Sequence, residues 1–261
     1  MLDKIIHIAE KTGKILAENL QKSVHIDYKG TVDLVTEMDL LSEKMITDFL
    51  KENFPDHRIV AEEGTESVQE SEYVWYIDPL DGTTNYAHHV PWFAISIALV
   101  KNGVPVAGVV HNPANGDMFS AEEGKGSFRN GKPMQVTQRT ELLKCLLSTG
   151  FPYKIHERYD RVTGLFGRFV KECQGIRRFG AAALDLAYVA AGIYDGYWEE
   201  GLKPWDTAAG ILLIKEAGGR VTDYTGNEYK IGSDTITASN GYIHDIMLQT
   251  INEKEPVRGG I

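Results

Sequence analysis

Pro79 stands inside DPLDGTTN at 78–85, directly after the apolar run YVWYID, and it restricts what the chain can build there. Proline brings no N–H to a sheet and fixes its own φ, so the strand suggested by YVWYID is expected to stop and bend at Pro79. Asp78 and Asp81 can then face one point. Asp81-Gly82 permits a turn without a Cβ clash, and the N–H groups that follow, led by Gly82 and Thr83, point outward as at an anion-binding helix start. Carboxylates bind hard cations and N–H groups bind phosphate oxygens, so the segment reads as a metal and phosphate site. Taken alone, Asp-Gly is equally a hairpin turn.

At 261 residues and 43% hydrophobic, the chain can bury a large core as one large domain or two closely packed parts. Its net charge of -10, with no Lys/Arg cluster, argues against a nucleic-acid partner. Cys145 and Cys173 lack C-x-x-C spacing and read as free thiols in a reducing compartment. MLDKIIHIAEKTGKILAENL carries Asp3, Glu10 and Glu18 among its apolar residues, which predicts an amphipathic helix rather than a signal peptide or membrane span. The expectation is a cytoplasmic protein with no membrane partner.

Helical and strand apolar periods alternate without repeats or a long linker, which predicts a mixed α and β fold of stacked layers. Met38, Leu41, Met45, Ile46, Phe49 and Leu50 form a helical stripe, with Thr36 or Asp39 as N-cap. FAISIALV, VAGVVHN and MFSAEE, joined by turns at Asn102-Gly103 and near Gly116, predict antiparallel strands. CLLSTG reads as a strand, RVTGLFGRFVKEC and AALDLAYVAAG as helices, and YDGYWEE as a strand. PWDTAAGILLIKEAGG reads as a helix with Pro204 in its first turn and Gly218-Gly219 at its end. A strand through Ile236 and a helix from near Ile243 complete the order, and EKEPVRGGI reads as a loose tail. GKGSFRNG is glycine-rich, but Asn130-Gly131 is a type I′ hairpin signal and no helix follows, so it reads as a turn. No P-loop, G-x-S-x-G or H-E-x-x-H occurs, the acid spacing is not that of an EF-hand, and His88-His89 reads as an exposed pair.

Acids recur at three other element ends. Asp33, Thr36 and Asp39 lie in KGTVDLVTEMD, Glu62 and Glu63 follow RIVA, and Asp206 falls in the first turn of the helix from Pro204. Each has an ordinary alternative: Asp39 as a cap, Glu62-Glu63 as a solvated loop, Asp206 as a helix-dipole partner, with Trp75 and Trp205 as core packing. Jointly they fit a site. Clustered carboxylates would repel a phosphate dianion unless cations inverted the charge, so the cluster requires metal. Oxygen-only ligands suit Mg²⁺, with Mn²⁺ as a substitute, whereas Zn²⁺ would recruit His or Cys. Two cations about 3.5–4 Å apart stabilise both the attacking and the leaving oxygen of an in-line displacement, so no covalent phospho-enzyme is needed.

Four segments in order, KGTVDLVTEMD at 29–39, VAEEG at 60–64, WYIDPLDGTTNY at 75–86 and PWDTAAG at 204–210, resemble the inositol monophosphatase family, among the magnesium-dependent, lithium-sensitive phosphatases. The resemblance spans nearly the whole chain. NYAHHVPWFAISIALV is similar to the inositol phosphatase branch more than to branches acting on phosphoadenosine phosphates or to the large allosteric fructose bisphosphatases. Departures are small: Ala61 for the usual Gly, Tyr86 for the usual Phe, and a Lys29 to Asp33 interval one residue shorter than in animal relatives. The resemblance implies an α/β (α+β) fold, a layered α-β-α-β-α sandwich of the sugar-phosphatase type. It implies one domain over 1–261, with an α+β half near 1–140, an α/β half near 141–252 and a tail at 253–261.

The resemblance also implies two or three Mg²⁺ per site. Glu62, Asp78 and the Leu80 carbonyl would hold the first, Asp78, Asp81 and Asp206 the second, and a third, weaker ion near Glu62 would be held mainly by water. The catalytic set would be Asp39, Glu62 and Thr83, with the Thr83 hydroxyl, paired with Asp39, orienting the attacking water. Gly82 and Thr83 would give N–H groups to phosphate, and Asp81, Glu199 and the backbone at Gly180, Ala181 and Ala182 would hold the alcohol. Lys29 and Asp33 would belong to a mobile loop closing over the third metal, supported by Thr36. The implied activity is hydrolysis of myo-inositol monophosphate, or a similar sugar or polyol phosphate, by a homodimer. Fructose 1,6-bisphosphate or a nucleotide phosphate such as NADP is the alternative substrate, and a non-catalytic binding or regulatory protein is the alternative of another class. An inactive relative should have lost a ligand among Glu62, Asp78, Asp81 and Asp206; all four are present.

Overall fold

The computed structural model describes residues 1–22, 25–28, 34–67, 70–152 and 154–253. It begins with the expected amphipathic helix, α1 (Leu2–Asn19), which buries Ile5, Ile8, Ala9 and Leu16. A short antiparallel pair, β1 (Ile26–Tyr28) and β2 (Leu34–Thr36), leads into α2 (Glu37–Asn53). Both cap candidates act: Thr36 Oγ accepts from the Met38 N–H at 3.2 Å, and Asp39 Oδ2 accepts from the Thr36 N–H at 2.8 Å. The buried stripe differs from the expected one, because Leu41 is exposed while Asp39, Ser42, Glu43 and Thr47 are buried. Those polar groups lie where hydrogen-bond partners await them, so apolar spacing alone misplaces the buried side.

β3 (Arg58–Ala61) runs parallel to β4 (Tyr73–Asp81), which is followed by the short α3 (Thr83–Ala87). β5 (Ala94–Lys101), β6 (Val104–Asn112), β7 (Asp117–Glu122), β8 (Ser127–Arg129) and β9 (Lys132–Pro133) complete a seven-stranded sheet in the order β3 to β9, antiparallel from β4 onward. The expectation at Pro79 is corrected here: the strand runs through it to Asp81. Pairing with β5 slips between Asp78 and Asp81, a bulge that accommodates the residue without an N–H, and the Pro79 carbonyl accepts from Ser42 Oγ at 2.7 Å. The bend comes later, at Gly82, where φ is 89°. Asn130 and Gly131 both adopt positive φ between β8 and β9, forming the hairpin expected from their sequence.

β10 (Leu146–Thr149), α4 (Ile155–Glu172), β11 (Gly175–Arg177), α5 (Ala182–Ala190), β12 (Gly196–Glu200), α6 (Pro204–Glu216), β13 (Arg220–Thr222), β14 (Thr235–Ser239) and α7 (His244–Asn252) follow. Their strands form a second sheet in the order β11-β10-β12-β14-β13. The buried clusters then stack in layers. α1 and α2 set Ile5, Ile8, Ile46 and Leu50 against Trp75, Ile77, Ile95 and Ile97 of the large sheet. The opposite face, through Ala94, Ala98, Val110 and Phe119, meets α5 and α6, which also cover Tyr197, Ile236 and Ala238 of the small sheet. α4 and α7 close the far side, with Leu165, Phe169 and Met247 on Leu147 and Trp198. This is the α-β-α-β-α order. α6 is buried all round from Thr207 to Ile214, as a helix sandwiched between sheets must be. Lys29, Asp33 and residues 254–261 of the expected tail lie outside the described residues. No helix among the described residues is long and apolar enough to cross a membrane.

Candidate active site

Strand register brings the first acids together. Ala61, the last residue of β3, pairs with Ile77 of β4, so Glu62 leaves the sheet beside Asp78, which stays in β4 paired with Ser96 of β5. The Glu62 N–H donates to the Ile77 carbonyl at 3.1 Å. Glu43 of α2 holds the turn that follows: its carboxylate accepts from the Glu63 N–H at 2.7 Å and the Thr65 N–H at 3.0 Å. Sequence reasoning missed Glu43, whose one signal is an acid on the side of α2 that carries Met38 and Ile46.

Asp78 is 2% exposed, and its Oδ1 accepts from the Leu80 N–H at 3.0 Å. At Gly82 a Cβ would stand 3.1 Å from the Trp92 carbonyl and 3.3 Å from Ala181 Cβ, so glycine lets α3 begin against the 180–182 segment. Thr83 Oγ lies 2.9 Å from Asp39 Oδ1 and 3.1 Å from the Leu80 carbonyl. Asp81 reaches the other sheet's helices: its Oδ2 accepts from the Ala183 N–H of α5 at 2.7 Å. Asn85 secures the same junction by donating to the Trp92 and Phe179 carbonyls, each at 2.7 Å. Tyr86, where Phe is usual, donates its hydroxyl to the Leu16 carbonyl of α1 at 2.8 Å, which satisfies the added oxygen.

Asp206, half-buried in the first turn of α6, accepts from the Lys203 N–H at 2.6 Å. Glu199 projects from β12 and accepts from the Tyr197 hydroxyl, and a Cβ at Gly150 would collide with its carboxylate. Burial is the first cause that raises the pKa of each of these acids. Asp78 is pushed well up, with Glu62, Asp81 and Asp206 adding and the Leu80 N–H opposing. Asp81 is pushed up to about 7 by burial, against the N–H groups of Ala183 and Ala182, with Glu62 and Glu199 adding. Glu199 is raised to about 7 by burial and Asp206, against the Tyr197 hydroxyl and Arg178. Asp206 reaches about 7 through burial and Asp81, against Lys203.

Among the described residues none of Asp78, Asp81, Glu199 and Asp206 forms an ion pair. Carboxylates so placed hold protons or a cation, and a donor set of carboxylate and carbonyl oxygens fits a hard divalent ion. Among the described residues no three His, Cys, Asp or Glu side chains are closed around one point, so the acids are electrostatic neighbours rather than a finished cage. Of the residues singled out from sequence, Asp39 and Thr83, Leu80, Gly82, the 180–182 segment and the acids Glu62, Asp78, Asp81, Glu199 and Asp206 come together. Lys29 and Asp33 lie outside the described residues.

Known proteins resemble the chain in sequence and fold. The model of the inositol monophosphatase family matches residues 1–255. Phosphatase IMPL1, chloroplastic, of Arabidopsis thaliana is 41% identical, over 95% of this chain and 69% of that protein. Nus factor SuhB of Escherichia coli is 38% identical, over 97% of this chain and 96% of its own length. The solved structure of inositol monophosphatase from Anabaena (Nostoc) matches with a TM-score of 0.89 and 41% identity, over 98% of this chain and 96% of that one. The chain belongs to the inositol monophosphatase family and is an enzyme of its phosphoric monoester hydrolase type.

Proposed function

We propose that the enzyme hydrolyses the phosphate monoester of a small polyol, myo-inositol monophosphate or a close analogue, in a Mg²⁺-dependent reaction in which water attacks phosphorus directly. The observation that carries this reading is the clustering of the buried Asp78 and Asp81 with the half-buried Glu62 and Asp206, whose negative charge is compatible with a phosphate dianion only beside cations. In this reading Glu62, Asp78 and the Leu80 carbonyl hold one Mg²⁺, Asp78, Asp81 and Asp206 a second, and water holds most of a third near Glu62. When bound, Mg²⁺ supplies positive charge for the dianion and lowers the pKa of bound water, and Mn²⁺ shares the oxygen preference.

The remaining work falls to the chain's own groups. Thr83 gives its hydroxyl proton to Asp39, which leaves the oxygen lone pairs to accept from a water and aim it. Gly82 and Thr83 N–H groups bind phosphate oxygens. Asp81, Glu199 and the backbone at Gly180, Ala181 and Ala182 bind polyol hydroxyls, with Tyr197 fixing the Glu199 carboxylate. A homodimer in the cytoplasm, without nucleic-acid or membrane partners, belongs to the same proposal.

Phosphate release from myo-inositol 1-phosphate, fructose 1,6-bisphosphate and NADP, each with Mg²⁺ and with EDTA, tests the reading. The expected result is turnover that requires metal and is fastest on the inositol ester. Undiminished turnover in EDTA overturns the metal reading, and faster release from either other substrate assigns that one instead. The Nus factor name of the bacterial relatives supports a second reading, a role on this fold independent of turnover. Absence of turnover on all three substrates would favour it.

A further inference from the structure

Beneath the alcohol side of the site lies a carboxyl group that the reaction scheme does not use. Asp185 of α5 is 0% exposed, and among the described residues neither oxygen has a hydrogen-bond partner and no ion pair reaches it. Ser148 Oγ, on β10, is also buried and without a hydrogen bond. Ser148 pairs in register with Tyr197 of β12, so it shares the sheet face that carries Tyr197 and Glu199. Two residues before Asp185 on α5, the Ala183 N–H holds Asp81. Asp185 therefore lies under both acids assigned to the polyol.

Every group that faces Asp185 bears on its charge. Glu199 from β12 and Asp81 from the end of β4 repel an anion there, while Arg178, ahead of α5, and Ser148 favour one. Tyr194 and Tyr197 are themselves harder to ionise, chiefly through burial, with Asp185 adding to both and Glu199 adding more than Asp185 to Tyr197. Burial is the largest effect and drives the Asp185 carboxyl well above the usual range. Its occupant could be a proton or a metal ion, and among the described residues no third ligand closes a metal site around it. Ser148 stands close enough to influence the carboxyl but outside hydrogen-bond geometry as placed, and a small side-chain rotation would join the two orphaned groups.

We propose that Asp185 is a positioning residue held as a neutral carboxylic acid, which gives its proton in a hydrogen bond to Ser148 and thereby leaves Glu199 free to be the anion that accepts polyol hydroxyls. A second charge beneath Glu199 would drive Glu199 to keep its own proton and lose an acceptor. The polyol part of this inference rests on the proposed function; the neutral state of Asp185 does not.

Infrared difference spectra of the Mg²⁺-loaded enzyme against Asp185→Asn, near neutral pH, read the proton directly. Metal keeps its ligands ionised and Glu199 is common to both proteins, so the expected result is a carboxylic-acid C=O band present in the wild type and missing in the variant. Kinetics read the positioning. Asp185→Ala adds no charge but breaks the bond to Ser148, the strand neighbour of the Tyr197 that fixes Glu199, so through a misplaced Glu199 it should raise KM about tenfold for myo-inositol 1-phosphate and less than about twofold for 4-nitrophenyl phosphate, which offers no polyol hydroxyls. Asp185→Asn, neutral and able to donate to Ser148, should recover most of that loss. A missing infrared difference, equal KM increases on both substrates, or an Asn variant as impaired as the Ala variant would overturn the assignment. Hydrolysis of the aryl ester with none of the inositol ester would defeat the polyol reading, while the infrared band would still decide the state of Asp185.

Discussion

The Thr83 hydroxyl has one proton and two acceptors within reach, Asp39 and the Leu80 carbonyl, so its role is to direct a hydrogen bond rather than to carry charge. Thr83→Ala should lower kcat by about a hundredfold, the usual scale for losing a positioned proton-handling group, and change the Mg²⁺ half-saturation less than about threefold. Asp81 differs, because its carboxylate is placed as a ligand while one oxygen serves α5. Asp81→Asn keeps an oxygen for the Ala183 N–H, so the fold should survive by circular dichroism while turnover drops by several orders of magnitude and calorimetry shows weakened Mg²⁺ binding. Near-normal turnover in purified Asp81→Asn would refute the ligand role. Metal loss in Thr83→Ala as severe as in Asp81→Asn would refute the water-orienting role.

Among the elements, α2 shows how a helix can serve the site without touching substrate. Ser42 anchors the bulge at Pro79, and Glu43 binds the two N–H groups of the turn that presents Glu62. Glu43→Gln retains the shape but has one oxygen acceptor where two are needed. A hydrogen bond to a carboxylate is worth about 2 kcal/mol, so the melting temperature should fall about 4–8 °C while Mg²⁺ half-saturation rises about fivefold or more. An unchanged Mg²⁺ titration would remove Glu43 from the metal-supporting set. The hairpin at Asn130-Gly131 and the start of α6 at Pro204 were legible in the sequence because their φ and N–H constraints act within a few residues. The strand through Pro79 and the outward turn of Leu41 were not, since the first depends on pairing with β5 and the second on the partner that Ser42 finds in β4. The three-residue β11 has no pattern of its own and exists through pairing with β10. The same distinction governs the site: Glu62, Asp81 and Asp206 sit at element ends and Asp78 directly before Pro79, each beside a turn signal, whereas Glu43 lies inside α2 and Asp185 within the apolar run of α5, where a lone acid carries no such signal.

At the scale of the whole molecule, the acids gather where the two sheets and the α5–α6 layer meet, so their protonation is linked to stability. Asp81, Glu199 and Asp206 titrate at about 7 when folded, against ordinary values of 3.8, 4.5 and 3.8. The folded state therefore binds more protons than the unfolded chain between about pH 4 and about pH 7, and these groups make the metal-free protein less stable as pH rises through that window. His244 opposes them. Buried between the Thr222 and Ser239 hydroxyls and lowered from 6.5 to about 4, it contributes stability that is lost as pH falls through that range. Comparing protein with and without Mg²⁺ at each pH cancels the histidine effect, because His244 bonds to Thr222 and Ser239 and the charges that act on it are Arg220 and Asp245, not the site acids. The rise in melting temperature on adding saturating Mg²⁺ should therefore grow from pH 5.5 to pH 8 by at least about 5 °C, since metal can displace protons from the acids only as they ionise. Thermal melts in EDTA and in Mg²⁺ across that range measure it, and a Mg²⁺-induced shift of constant size would mean that the acid cluster does not couple metal binding to folding.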